Sequence, residues 1–190
     1  DVCARAERPL SKLGAAASRP RATGELGGFM QHTQIAFYTT QMSKGTVAGG
    51  TDLYMGTAAL SERDYVHEAI DKADLIIAIG HDTIEKPPFF MGQADQKVVH
   101  ISYMPANVEQ VYYPDAEVVG DLGPTLKLLA DKLGEAVLVQ RYARGELASG
   151  TAAHLLGISR RAFLDRLGRY GVSLFDDQID LAAETRHGRT

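Results

Sequence analysis

The chain has 190 residues, 45% hydrophobic and 23% charged, with a net charge of −4. That balance excludes a disordered chain and suits one ordinary globular domain with a small appendage. The single cysteine, Cys3, excludes a disulfide framework and a cysteine-built zinc site, and no apolar run approaches the roughly 18 residues of a membrane span.

Residues 9–13 read as a first strand stopped by Gly14, with the small run Ala15-Ala16-Ala17 after it. A weak helix is predicted over residues 21–32, because Gly24, Gly27 and Gly28 each cost up to about 1 kcal/mol against alanine. Residues 35–39 are β-branched and aromatic and predict a second strand. A polar, glycine-rich loop then fills residues 41–50. Ser61 with Asp64 makes a box-like cap and opens a helix, its apolar face formed by Tyr65, Val66, Ala69, Ile70 and Ala73.

Residues 75–79 are a continuous, mostly β-branched apolar run ending at Gly80. Such a run predicts a strand buried on both faces, as in a parallel sheet. A long loop spans residues 81–96 and is stiffened by Pro87-Pro88. Strands follow at 98–102 and 117–119, with a helical turn over 105–112 between them. Pro124 suits the first turn of a helix reaching Leu133, since its missing N–H would be unpaired there anyway. The alternation of strands and helices predicts an α/β fold, a parallel sheet with helices on both faces.

Near Gly134 the character changes. Residues 136–170 read as helical, with breaks at Gly145, Ser149-Gly150 and Gly157. We place a domain over residues 1–134, a helical tail over 135–177 and a frayed end over 178–190. The first ten residues lack the apolar segment of a signal peptide, so a cytoplasmic protein is expected; the start at Asp1 rather than Met reads as a fragment. The six histidines show no metal-binding spacing, and neither a nucleophile elbow nor a Walker loop is present. No catalytic or metal-binding residue is assigned.

Three blocks carry a specific resemblance: residues 7–47 with PLSKLGAAASRP, residues 53–91 with ADLIIAIGHDTIEKPPFF, and residues 97–129 with DAEVVGDLGPTLKLL. Together they resemble the central domain of acetolactate synthase-type thiamine-diphosphate enzymes. The resemblance implies a six-stranded, Rossmann-like parallel sheet. In that family the domain lies between a pyrimidine-binding and a diphosphate-binding domain and carries no chemistry itself. Thiamine diphosphate and Mg2+ are implied only for the complete enzyme, and some members hold FAD or another nucleotide in this domain. The Gly-Asp-Gly motif with its downstream Asn ligand to magnesium is missing; the nearest string is Gly120-Asp121-Leu122-Gly123. The partners implied are chains or domains carrying the missing parts, and a homo-oligomer is expected.

Ligands of such sheets sit where strands end and free N–H groups can meet a phosphate. The candidates are Gly14, Ala15 and Ala16; Gly56 and Thr57 in the loop before Ser61; Gly80, His81 and Asp82; and Ser102 with Asn107. Each has a plainer reading: Gly14 and Gly80 as strand-ending turns, His81 and Asp82 as solvated loop residues, Lys44, Glu85 and Lys86 as surface charges. Flavin-binding members carry an Arg soon after the position of Gly80, where this chain has His81, Asp82 and Thr83.

Residues 138–177, with HLLGISRRAFLDRLGRYG, resemble a small prokaryotic family of helix-turn-helix proteins proposed as antitoxins or regulators. Residues 135–175 hold six arginines against Glu135, Glu146 and Asp165, a local basic excess in an otherwise acidic chain. Ala153 lets two helices approach, Gly157 supplies the turn, and Ile158, Phe163 and Leu167 fill the space between them. Ser159 caps the second helix, which presents Arg160 and Arg161 to bases or phosphates and Arg166 and Arg169 to phosphates. A solvated basic face on a packing helix is the plainer reading. Three functions stand open: a non-catalytic central domain, a DNA-binding regulator, and a fusion or truncation product.

Overall fold

The computed structural model describes residues 2–47, 51–58, 64–82, 85, 96–106 and 113–172. The expected cap residue Ser61, the Pro87-Pro88 segment, Lys86, Asn107 and residues 107–112 of the expected helical turn lie outside them.

In chain order the elements are α1 (Val2–Arg5), β1 (Pro9–Leu13), α2 (Pro20–Thr33), β2 (Phe37–Thr40), β3 (Tyr54–Ala58), α3 (Tyr65–Lys72), β4 (Leu75–Ile79), β5 (Lys97–Ser102), β6 (Ala116–Val119), α4 (Leu122–Ala143), α5 (Ser149–Leu155) and α6 (Arg160–Leu167). The six strands form one sheet in the order β3-β2-β1-β4-β5-β6, and every adjacent pair is parallel. Side chains alternate across a strand, so β4 feeds two cores. Leu75, Ile77 and Ile79 pack with α2, α4 and α1, while Ile76 and Ala78 pack with Val66 and Ile70 of α3. Helices therefore cover both faces of a Rossmann-like sheet.

Helix α2 is firmer than its composition suggests. Its three glycines face open space, while Leu26, Phe29 and Met30 are buried. Burying each of these side chains is worth roughly 1.5–3 kcal/mol, which outweighs the glycine cost.

Several local expectations are corrected. Gly56 and Thr57 lie on β3 rather than in a loop; Gly56 has φ +123 and the ladder with β2 slips at Phe37/Tyr38, an irregularity that hides the strand from a period-two pattern. Helix α3 starts at Tyr65, where Asp64 accepts from the N–H groups of Val66 (3.0 Å) and His67 (3.1 Å), and Tyr65 faces solvent. Ser149 and Gly150 open α5 rather than break a helix.

Helix α4 runs unbroken through Gly134, where a side chain would strike the backbone oxygen of His32 on α2 at 2.6 Å. Close packing against α2 thus explains a glycine in the middle of a 22-residue helix. Beyond it, Leu138, Val139 and Tyr142 of α4 join Ala152, Ala153, Phe163 and Leu167 of α5 and α6 in a separate small core. Tyr142 meets Phe163 edge-on at 5.5 Å.

Candidate functional site

In a sheet of this order the chain leaves β1 in one direction and β4 in the other. The crevice between their carboxyl ends is where ligands of open α/β sheets bind. The structure brings six of the predicted residues to this point: Gly14, Ala15 and Ala16 after β1, and Gly80, His81 and Asp82 after β4. It does not bring the others. Thr57 lies two strands away on β3, sharing a hydroxyl cluster with Thr39 (2.9 Å) and Tyr54 (2.8 Å). Ser102 is buried at the end of β5 and its carbonyl accepts from Gly120 N–H at 2.9 Å.

The two turns at the crevice interlock. Gly14 N–H donates to Ile79 O (2.9 Å) and Ala16 N–H donates to Gly80 O (3.0 Å). A side chain on Gly14 would lie 2.4 Å from His81 Cα, and one on Gly80 would lie 2.4 Å from Ala17 N. These glycines are needed for backbone approach between the turns, with φ +63 at Gly80 as a second reason.

Glu85 occupies the space that remains. Its Oε1 accepts from Ala15 N–H (2.8 Å) and Asp82 N–H (3.2 Å), and its Oε2 accepts from Thr40 Oγ–H (2.5 Å). Thr40 stands at the end of β2, where its hydroxyl also meets Ser43 Oγ at 3.1 Å. With Ala17 N–H donating to Gly14 O at 3.0 Å, the N–H groups of Ala15, Ala16 and Ala17 are all taken by the protein. As they stand, these residues do not fit a nucleotide phosphate.

Behind Glu85 lies a buried relay. Lys12, only 1% exposed, places Nζ 3.1 Å from His81 Nε2. His81 is itself buried, and its Nδ1 lies 3.8 Å from Glu85 Oε1 without a hydrogen-bond partner. An ammonium can only donate, so a protonated Lys12 fixes Nε2 as acceptor and puts the imidazole proton on Nδ1, facing Glu85. Burial, then the charges of Lys12 and His100, push His81 down to about 3. Burial also pushes Lys12 down to about 7, against the opposing pull of Glu85.

His81 and Glu85 are therefore core residues, not the solvated loop and surface groups expected of them. Lys12, Thr40 and Ser43 were not picked out. The signal for Lys12 was available: a lysine inside a short apolar strand must find a partner if the strand is central.

In the tail, Ser159 accepts from Ala162 N–H at 3.2 Å and caps α6. Two of the four predicted arginines are tied within the chain: Arg160 Nε donates to Ser149 Oγ (2.7 Å) and Arg166 Nη1 to Glu135 Oε2 (2.6 Å). Arg161 and Arg169 are exposed. Among the described residues, no group of three or more His, Cys, Asp or Glu is placed to hold a metal ion. No helix among them is long and apolar enough to cross a membrane.

Residues 1–129 match the family model described as thiamine pyrophosphate enzyme, central domain. The chain belongs to that family. Acetolactate synthase of Bacillus subtilis (strain 168) is 28% identical over 123 residues, covering 64% of this chain and 22% of that protein. The catabolic acetolactate synthase of Raoultella terrigena is 31% identical over 173 residues, covering 87% of this chain and 28% of that protein. The chain thus spans about a quarter of the length of these relatives.

The X-ray structure of a Mycobacterium smegmatis protein assigned to the thiamin diphosphate-dependent enzymes superposes with a TM-score of 0.55 at 20% identity, covering 69% of this chain and 26% of that one. At that identity it supports the central-domain fold alone. Residues 113–190 match a second model, Uncharacterised protein family (UPF0175). The two matches share residues 113–129, which include β6 and the start of α4.

Proposed function

We propose that this central domain is a non-catalytic module of an acetolactate synthase-like enzyme, a rigid platform between domains that hold the cofactor. The observation that carries the reading is the switch point, where the protein's own turns and Glu85 take the groups a ligand would need. In a complete family enzyme, thiamine diphosphate with Mg2+ supplies the carboligation chemistry. Here the residues of this chain bear the sheet and its packing. The partners of this reading are the pyrimidine and diphosphate domains, in a cytoplasmic homo-oligomer.

The test is direct. The purified 190-residue polypeptide, given pyruvate, thiamine diphosphate and Mg2+, is expected to form no acetolactate. Turnover by this chain alone would refute the reading.

A second reading concerns residues 135–177 as a helix-turn-helix module that contacts duplex DNA, set on a body of residues 1–134. It is supported by the small core around Phe163, the turn at Gly157 with φ +65, and the exposed Arg161 and Arg169. Because Arg160 and Arg166 are tied to Ser149 and Glu135, Arg161 and Arg169 are the first phosphate contacts to test. Duplex binding should weaken with salt; R161A/R169A should bind more weakly still, with a shallower salt slope. Binding unaffected by both changes would reject it.

A further inference from the structure

Donors from the ends of three adjacent strands converge on one carboxylate. Ala15 N–H follows β1, Asp82 N–H follows β4, and the Thr40 hydroxyl ends β2. This is the layout in which open α/β sheets hold a phosphate. His81 adds a buried Nδ1, unpartnered and 3.8 Å from Glu85 Oε1, with Lys12 behind it at 3.1 Å. The seat is built for an anion, and the anion belongs to the protein.

We propose that Glu85 is an internal anion filling an oxyanion seat at the β1–β4 switch point, and that removing its carboxylate turns the seat into a binding site for small oxyanions. The ligand class is a carboxylate or phosphate that accepts from Ala15 N–H, Asp82 N–H and the Thr40 hydroxyl. This goes beyond the platform reading: a platform needs only packing, whereas a filled seat foretells a gain of binding when the filler is removed. A merely structural Glu85 would leave a destabilised protein indifferent to which anion is present.

The experiment compares the full chain, Glu85→Ala and Glu85→Gln by thermal melting in chloride, acetate and phosphate at matched ionic strength. The parent protein is expected to show only the shallow, unsaturating rise that excluded anions such as phosphate give any fold. E85A should melt lower in chloride and rise saturably with acetate or phosphate, by about 3–6 °C at ten times the dissociation constant. E85Q keeps an oxygen for Ala15 N–H and fills the seat, so it should gain no such response. If E85A does not fold in chloride, its refolding yield in acetate is the readout, and recovery is expected. An E85A melting point or refolding yield indifferent to acetate and phosphate would overturn the proposal. So would a saturable phosphate response in the parent protein.

Discussion

His81 Nε2 sits 3.1 Å from Lys12 Nζ, inside a parallel sheet where both side chains are removed from water. The contact joins β1 to the turn after β4. The imidazole stays neutral because burial and the neighbouring charges of Lys12 and His100 oppose a second proton.

The His81 ring should therefore be silent to ordinary titration. With its folded value near 3, the ring is expected to stay neutral from pH 8 to pH 5, and below about pH 7, where Lys12 is charged, its 15N shifts should report a proton on Nδ1. The measurement is two-dimensional 1H–15N NMR of the imidazoles. A midpoint near 6.5 for this residue would show that it is solvated.

Lys12 should give stability a pH slope of unusual sign for a lysine. Its folded value, about 7, lies below its unfolded value of 10.5. Between those limits the unfolded chain binds more protons than the native one, so stability rises with pH, by at most about 1.4 kcal/mol per unit. Below pH 7 the lysine is charged in both states and the cost of its burial is complete. Denaturant unfolding between pH 7 and 9.5 is expected to show this rise in the parent protein and to lose it in Lys12→Met. Equal slopes in the two proteins would place Lys12 in water.

Glycines of the same chain should respond oppositely to alanine. Gly14→Ala drives a methyl group to 2.4 Å from the His81 backbone, so it should cost roughly 1–3 kcal/mol or more. Gly28→Ala faces open space on α2 and should stabilise by up to about 1 kcal/mol. Chemical denaturation of both variants checks the contrast, and similar effects would mean that the two turns do not interlock.

Phe163 anchors the tail. It is fully buried among Leu138, Val139, Ala152, Ala153 and Leu167 and meets Tyr142 edge-on. Phe163→Ala should cost about 3–5 kcal/mol locally. Hydrogen exchange is expected to show lost protection in α5 and α6, with the β1 and β4 amides unchanged. Equal loss in the sheet would show that tail and body unfold together.

The sheet was largely legible in the sequence because its strands obey simple rules. The run at residues 75–79 is apolar throughout, as a strand covered on both faces must be, and Gly80 stops it. Strand β3 was hidden by Gly56 and by polar neighbours at a sheet edge, where the periodic signal is weakest. The resemblance supplied the sixth strand that residue patterns alone had missed. The meeting of two turns at the ends of β1 and β4 was legible from the strand-end glycines. Its chemistry was not, because Glu85 reaches Ala15 across 70 positions and Thr40 across 45. Local patterns carry no trace of such pairings. The tail's cap at Ser159 was readable, whereas the tie from Arg166 to Glu135, 31 positions apart, was not.

Titration calorimetry of the purified parent chain with ADP, and separately with FAD, bears most directly on the filled switch point. We expect no saturable heat with either, because Ala15 N–H, Asp82 N–H and the Thr40 hydroxyl already serve Glu85. One-to-one saturable binding of either nucleotide, lost in Gly14→Ala, would contradict it.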